Sequence, residues 1–90
     1  MLNNLYIQFN IEIWKEGDMY VAYVPQLDIS SCGKTVKVAK TNVCEAVEIF
    51  LDETKKMGTF NEVLEEAGFS CRNGWKAPKI ISCEQVKVAV

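Results

Sequence analysis

The sequence predicts a single α+β domain: a small antiparallel sheet of three N-terminal strands plus a C-terminal strand, with one long and one short helix. Two patterns predict this class. Apolar residues alternate with polar residues near the start and near the end of the sequence, and they recur at helical spacing between these stretches. The 90 residues, 49% of them hydrophobic, are enough for one core and too few for two. We therefore interpret residues 1–90 as one domain, without a separate C-terminal DNA-binding domain.

Three strands are expected before the long helix. In residues 5–14 every second residue is apolar, which is typical of a strand with one buried face. The polar linker 15–18 joins this strand to a β-rich run over residues 19–25, so the two segments predict a hairpin. A shorter third strand is expected over residues 27–32, and Gly33 ends it.

The central part of the sequence predicts two helices. Thr35 is placed to cap a helix over residues 36–56, because the apolar residues after it recur at helical spacing, and Gly58 is placed to end that helix. Thr59 and Glu62 have the spacing of a capping box, and the short apolar stretch after them ends at a glycine. A second, short helix is therefore expected there.

The last part of the sequence predicts a return to β structure. Residues 69–71 are interpreted as the start of a strand, residues 73–74 as an Asn-Gly turn, and Trp75 as the opening of the return limb. Residues 80–81 and 86–90 alternate again and predict a terminal strand. A small sheet of this kind leaves at least one strand edge free, and from that edge we expect a homodimer.

Composition and charge argue against several classes of protein. No apolar run reaches the roughly 20 residues needed to span a bilayer, and residues 1–4 lack the basic region of a signal peptide, so we expect a cytoplasmic protein without a membrane partner. The net charge of −2 and the pI of about 5.1 do not suit a free-standing nucleic-acid binder. We therefore expect no sequence-specific DNA binding by this chain alone, and a basic partner protein suits it better.

The chemistry-bearing residues point to no catalytic or metal site. The chain has no histidine, which excludes Ser-His and Cys-His pairs and mixed Cys-His metal sites. The four cysteines form no C-x-x-C pair, so we interpret them as reduced residues, with two disulfides as the alternative in a secreted protein. Metal-dependent phosphodiester cleavage needs several converging carboxylates, and the first strand offers Glu12 alone. We predict that the chain is not an enzyme and needs no cofactor.

Two stretches of the sequence form a recognisable pattern. The residues that carry it are Tyr20-Val21-Ala22-Tyr23-Val24-Pro25-Gln26-Leu27, then Gly33-Lys34-Thr35-Val36, Ala39, Asn42, Glu45-Ala46-Val47-Glu48-Ile49-Phe50-Leu51 and Glu53. In type and spacing they resemble the HicB-like antitoxin family, without gaps over residues 33–53 and more loosely over residues 6–69. The chain departs from the family pattern at Gln26, Lys34, Lys37 and Val38, where acidic residues are usual.

The resemblance implies a fold and a function. Members of this family are similar to a truncated ribonuclease H fold without its active site, and they neutralise HicA toxins, which are small, basic, RNA-cleaving proteins. Complete HicB antitoxins usually carry a C-terminal DNA-binding segment, and this sequence predicts only a strand there, so operator binding is not carried over. The resemblance thus implies an antitoxin module with a HicA-like toxin as its partner. The alternative is an orphan module that only oligomerises, or that binds an unrelated protein or ligand.

The candidate residues for partner binding follow from charge and exposure. An acidic inhibitor can compete with RNA for the basic surface of such a toxin. Tyr20 and Tyr23 fall on opposite faces of their strand, so one is expected in the core and the other at the surface. The candidates are Tyr20, Tyr23, Pro25, Gln26 and Asp28 on and after the second strand, Glu45 and Glu48 on the long helix, and the polar linker 15–18.

Overall fold

The computed structural model describes residues 6–90. In chain order these residues form β1 Ile7–Gln8, β2 Glu12–Glu16, β3 Met19–Val24, β4 Ile29–Gly33, α1 Val36–Met57, α2 Phe60–Glu66, β5 Ser70–Cys71 and β6 Trp75–Lys76. The strands lie in two three-stranded sheets, ordered β2-β3-β4 and β1-β6-β5. The α+β class is therefore confirmed, whereas the prediction of one antiparallel sheet that includes a C-terminal strand is wrong.

The first predicted strand is divided between the two sheets, and its first residue, Leu5, lies outside the described residues. Residues 7–8 pair with β6, residues 12–16 pair with β3, and residues 9–11 belong to neither strand. The alternation of apolar residues nevertheless continues through this break, because Phe9, Ile11 and Ile13 all pack against the core. One periodic stretch thus contributes to both sheets while it changes its pairing partner.

The sheet β2-β3-β4 is an antiparallel meander with two short turns. The first turn consists of Gly17 and Asp18 alone, with Gly17 at φ 57°, so the loop is shorter than the predicted linker 15–18. In the second turn the Leu27 N–H donates to Val24 O at 3.2 Å. Pro25 follows directly after β3, as expected for a residue that has no N–H to give to the ladder.

Helix α1 covers one face of this sheet, and both of its predicted ends are confirmed. Thr35 Oγ1 accepts a 3.1 Å hydrogen bond from the Val38 N–H, and Gly58 ends the helix at φ 74°. Gly33 lies so close to α1 that a Cβ on it would stand 2.6 Å from Val38 Cγ1. The buried hydrophobic residues of this layer are Ala22 and Val24 of β3 with Ala39, Val43, Val47 and Leu51 of α1.

Helix α2 begins without the predicted side-chain cap. Thr59 has φ −112° and ψ 9°, which is not the extended backbone of a capping residue, and its side chain makes no capping hydrogen bond. Its N–H donates instead to Thr54 O at 2.9 Å, so Thr59 completes the end of α1. Within residues 6–90, neither helix combines the length and the apolar character that crossing a bilayer requires.

The second sheet contains the predicted Asn-Gly turn. Strands β5 and β6 are antiparallel around residues 73–74, both of which have positive φ. Strand β6 runs parallel to β1, and the Trp75 N–H donates to Tyr6 O at 2.7 Å. The buried ring of Trp75 meets Phe60 of α2 edge to face, with 6.0 Å between the ring centroids. This aromatic contact joins the second sheet to α2.

The predicted terminal strand over residues 80–81 and 86–90 is wrong. No strand follows β6, and residues 78–90 are exposed. The register of β6 gives the physical reason, because Ile7 lies opposite Trp75. A parallel strand continued in this register would set Lys79 opposite Ile11, in the apolar row, and Glu84 opposite Glu16. Burying an unpaired ammonium and opposing like charges both cost free energy, so the chain leaves the sheet.

Candidate functional site

The face of the sheet β2-β3-β4 that points away from α1 is the main candidate surface, and we call it the outer sheet face. Side chains alternate along a strand, so this face consists of the strand residues that α1 does not cover. They are Glu12, Trp14 and Glu16 of β2, Met19, Val21 and Tyr23 of β3, and Ser30 and Cys32 of β4. Trp14 is 41% exposed, and Val21 and Tyr23 are half-buried. Exposed aromatic side chains beside apolar neighbours are typical of a surface that binds another protein.

Trp14 and Tyr23 form the aromatic centre of the outer sheet face. Their ring centroids lie 6.2 Å apart and their planes make an angle of 70°, which is an edge-to-face contact. The two residues are diagonal neighbours, because Trp14 is paired with Val21, two residues before Tyr23. The Trp14 Nε1–H donates to Glu16 Oε1 at 3.0 Å. Strand pairing and this hydrogen bond together orient the indole ring.

The turn after β3 places a carboxylate beside this aromatic centre. The Tyr23 hydroxyl donates to Asp28 Oδ1 at 2.8 Å. Asp28 has φ 55°, a left-handed conformation that aspartate tolerates better than most residues. The Asp28 N–H also donates to Pro25 O at 3.3 Å. The geometry of the turn therefore determines where the Asp28 carboxylate lies.

The contact with Asp28 changes the acidity of Tyr23. The hydrogen bond to the Asp28 carboxylate raises the pKa of the Tyr23 hydroxyl, because it stabilises the protonated form. Partial burial of the ring raises this pKa further, and so do the negative charges of Asp28 and Glu12. Tyr23 is therefore a neutral hydrogen-bond donor at physiological pH.

The outer sheet face is negative at its rim. Glu12 and Glu16 lie on β2, Asp28 lies at the other side of the aromatic pair, and none of the strand residues of this face is basic. Lys15 alternates to the opposite face, where its Nζ lies 5.8 Å from the centre of the Tyr20 ring. An apolar centre with a negative rim suits a partner that presents positive charge around an apolar or aromatic contact.

The structure divides the sequence-predicted site residues into two groups. Tyr23 and Asp28 are joined on the outer sheet face, and Pro25 and Gln26 are half-buried in the adjoining turn. Gln26 Oε1 is a buried acceptor with no hydrogen-bond partner among the described residues. Tyr20 lies on the α1 side of β3, so it is the inward member of the tyrosine pair.

The predicted helix residues belong to the other layer of the fold. Glu45 and Glu48 are exposed on α1. Since α1 covers the face of the sheet opposite to Tyr23, these carboxylates are not brought together with the outer sheet face. Apart from the inward Tyr20, the predicted set thus corresponds to two separate surfaces, one on the sheet and one on the helix.

Trp14 and Glu12 were not among the predicted site residues, and Glu16 was included only as part of the polar linker 15–18. The sequence does indicate that these residues point outward, because they alternate with Ile11 and Ile13 in the first periodic stretch. Residues between buried positions of an edge strand lie on its outer face. A tryptophan in such a position is a stronger sign of a binding surface than a single exposed carboxylate.

Other chemistry-bearing groups do not add to the site. Within residues 6–90, no three or more cysteine or acidic side chains form a group that could hold a metal ion. All four cysteines are free thiols; Cys44 is half-buried, and Cys32, Cys71 and Cys83 are exposed. None of them is a fully buried core residue.

A groove lies between the start of the described chain and the segment that begins at β6. It has a volume of about 630 Å³, and residues 7–11 and 76–80 line it together with Cys44 of α1. Its apolar side chains include Ile7, Phe9 and Ile11. The groove lies at the place where the chain leaves the sheet after β6.

Comparisons of the chain with protein-family models, with curated proteins and with solved structures find no match.

Proposed function

We propose that this chain is a HicB-like antitoxin module that binds and neutralises a small, basic, RNA-cleaving toxin of the HicA type by protein–protein contact. The observation that carries the proposal is the outer sheet face, where the Trp14–Tyr23 pair lies among three carboxylates and no basic side chain. The resemblance over residues 33–53 supplies the class of partner.

The chemistry of such a toxin explains why this surface suits it. A protein that cleaves RNA must present positive charge to the phosphates. Glu12, Glu16 and Asp28 attract that positive surface and increase the rate of association through opposite charge. The two aromatic rings provide a central contact from which water is excluded on binding. Neutralisation then consists of covering the RNA-binding surface of the toxin, and the antitoxin needs no catalytic group, metal or cofactor.

The experiment is co-expression of this chain with the protein encoded by the neighbouring reading frame. Rescue of growth and co-purification are measured for the parent and for two variants with equal changes of charge. Glu12→Lys with Glu16→Lys reverses the charge of the outer sheet face, whereas Glu45→Lys with Glu48→Lys makes the same change on α1. We expect the first pair of substitutions to abolish rescue and the second pair to retain it.

The outcomes separate the competing interpretations. If the α1 pair abolishes rescue and the sheet pair does not, the inhibitory surface lies on the helix and the role of the outer sheet face is wrong. If the folded parent neither binds nor rescues, the antitoxin proposal fails. The orphan module, which oligomerises or binds another ligand, is then the better interpretation.

A further inference from the structure

The end of the described chain has the pattern of a strand but pairs with no strand. Val86, Val88 and Val90 alternate with Lys87 and Ala89, and each of the three valines is at least 73% exposed. A segment in which every second residue is apolar is stable as a β-strand when its apolar side is buried and its backbone is hydrogen-bonded to a neighbouring strand. The segment therefore has the pattern of a strand at the edge of a sheet, although it joins no sheet in its own chain.

Strand β2 provides a free edge of the matching kind. Among residues 6–90, β2 pairs with β3 and with no other strand. The apolar row formed by Phe9 and Ile11 before β2 and by Ile13 within β2 is only half-buried. The groove of about 630 Å³ lies directly beside Phe9 and Ile11. A free strand edge next to an apolar groove is a suitable site for an added strand.

One antiparallel register matches the apolar residues of the two segments. With Val88 opposite Ile11, Val86 lies opposite Ile13 and Val90 enters the groove. All three valines then lie on the α1 side of the sheet, because Ile13 is paired with Ala22, a residue buried on that side.

The same register also matches the charges. It places Lys87 opposite Glu12 on the outer sheet face and Glu84 opposite Lys15 on the other face. If the segment is shifted by two residues so that Lys87 lies opposite Trp14, both charge pairs are lost. If it is shifted the other way, so that Lys87 lies opposite Asn10, Glu84 lies opposite the apolar Ile13. A parallel arrangement that keeps Lys87 opposite Glu12 sets Glu84 against Phe9. Charge complementarity thus selects a single antiparallel register.

The segment cannot adopt this register on its own copy. It leaves the sheet at Ala77, whose N–H donates to Gln8 O, whereas the register begins with Cys83 opposite Glu16. The six residue-to-residue steps from Ala77 to Cys83 would have to cover the eight steps from Gln8 to Glu16, and the chain would then have to reverse direction. The matching edge must therefore belong to another molecule.

We propose that residues 83–90 of one copy add as an antiparallel strand to the free edge of β2 in a second copy, and that the exchange is reciprocal. Two identical contacts related by a twofold axis close the assembly as a dimer. Each sheet β2-β3-β4 gains one strand, and its half-buried apolar row is covered by valines of the partner. This inference does not depend on the antitoxin proposal, because it concerns the purified chain alone.

A disulfide tests the register directly. In a Cys32→Ser, Cys44→Ala, Cys71→Ser background, Glu16→Cys is placed opposite Cys83, and these two are the only thiols that remain. On mild oxidation we expect a disulfide-linked dimer on a non-reducing gel, and the matched protein with Cys83→Ser stays monomeric on that gel. A disulfide within one chain would show that the segment folds back on its own copy, and absence of any disulfide would show that the two residues do not meet. Either result overturns the proposal.

Charge exchange provides a second test without cysteine chemistry. Light scattering of the parent at micromolar concentration should give twice 10.2 kDa. Lys87→Glu should weaken the dimer about tenfold, since both symmetry-related pairs become like-charged, and adding Glu12→Lys should restore it. Lys40→Glu, an equal change at an exposed position of α1, is the control and should have no effect. A monomeric parent, or a dimer that Lys87→Glu leaves unchanged, contradicts the exchange.

Discussion

The Tyr23 hydroxyl donates a 2.8 Å hydrogen bond to Asp28 Oδ1, five residues later in the chain. This contact joins the middle of the outer sheet face to the turn that follows β3. It depends on two local features: the outward position of Tyr23 in the alternation of the strand, and the left-handed φ of 55° at Asp28. A change at either residue should therefore alter both the turn and the surface.

We predict that the ionisation of Tyr23 depends on Asp28. Asp28→Asn removes the negative charge but keeps an acceptor and tolerates positive φ, whereas Asp28→Gly removes the whole side chain. The pKa of Tyr23, which is raised in the parent, should fall toward the ordinary value of 10.0 in the order parent, Asp28→Asn, Asp28→Gly. Titration of the Tyr23 ring carbons by NMR measures this order, and an unchanged pKa in Asp28→Gly would contradict it.

The same contact should make stability depend on pH in alkaline solution. Because the pKa of Tyr23 is higher in the folded than in the unfolded chain, its contribution is complete below about pH 10 and is lost as the pH rises through the folded pKa. The difference in unfolding free energy between the parent and Asp28→Gly should therefore shrink above about pH 10. Urea unfolding at several pH values measures this difference, and a constant gap across that range would contradict the prediction.

The two threonines before the helices should differ in their effect on stability. Thr35→Ala removes the hydrogen bond from the Val38 N–H to Oγ1 and should lower the unfolding free energy by about 1 kcal/mol. Thr59→Ala is the matched control, since the Thr59 side chain makes no capping hydrogen bond to α2, and it should cost less than about 0.5 kcal/mol. Urea unfolding compares them, and equal losses would show that the 3.5 Å hydrogen bond from the Thr59 hydroxyl to Thr54 O stabilises the end of α1 as much as the Thr35 cap stabilises its start.

Gly33 should not accept a larger residue. In Gly33→Ala the new Cβ would stand 2.6 Å from Val38 Cγ1 and 2.7 Å from Ala39 N, so β4 or α1 must shift. We expect a loss of about 1 to 3 kcal/mol in unfolding free energy, as for overpacked cores. Ser30→Ala, on the outer face of the same strand, is the control and should change stability by no more than about 0.5 kcal/mol. A neutral Gly33→Ala would mean that α1 packs less closely on β4.

Features that depend on a few neighbouring residues were predicted well from the sequence. The ends of α1 follow from Thr35 and Gly58, whose capping roles involve only the adjacent turns of the helix. Thr59 has the same local pattern, yet its N–H bonds to Thr54 O because α1 ends just before it. The capping-box rule therefore failed at Thr59, because this residue lies in the short connection between the two helices.

Features that depend on pairing partners were predicted less well. Period-two alternation identified residues 86–90 as strand-like, but alternation alone contains no information on which edge a strand can join. Alternation also showed that Tyr20 and Tyr23 lie on opposite faces. Which of them points inward depends on the face that α1 covers, and this is a tertiary property. The outer sheet face could be assembled only once that layer was known.

Under the proposed antitoxin function, Trp14 should be the strongest single contributor to toxin binding by the outer sheet face. It is 41% exposed, its ring contacts Tyr23, and its Nε1–H is satisfied by Glu16, so it can be buried by a partner without leaving an unpaired donor. Trp14→Ala should raise the Kd for the toxin about 30-fold, which corresponds to about 2 kcal/mol. Calorimetric titration of the purified pair gives the Kd.

The control for this prediction is Ile49→Ala, because Ile49 is a large apolar residue that is 66% exposed on α1, in the other layer of the fold. It should leave the Kd unchanged, and circular dichroism should show that both variants remain folded. Trp14→Phe should fall between the parent and Trp14→Ala, since it keeps an aromatic ring but loses the indole N–H. If Trp14→Ala binds the toxin as tightly as the parent while Ile49→Ala binds it weakly, the toxin contacts α1 and not the outer sheet face.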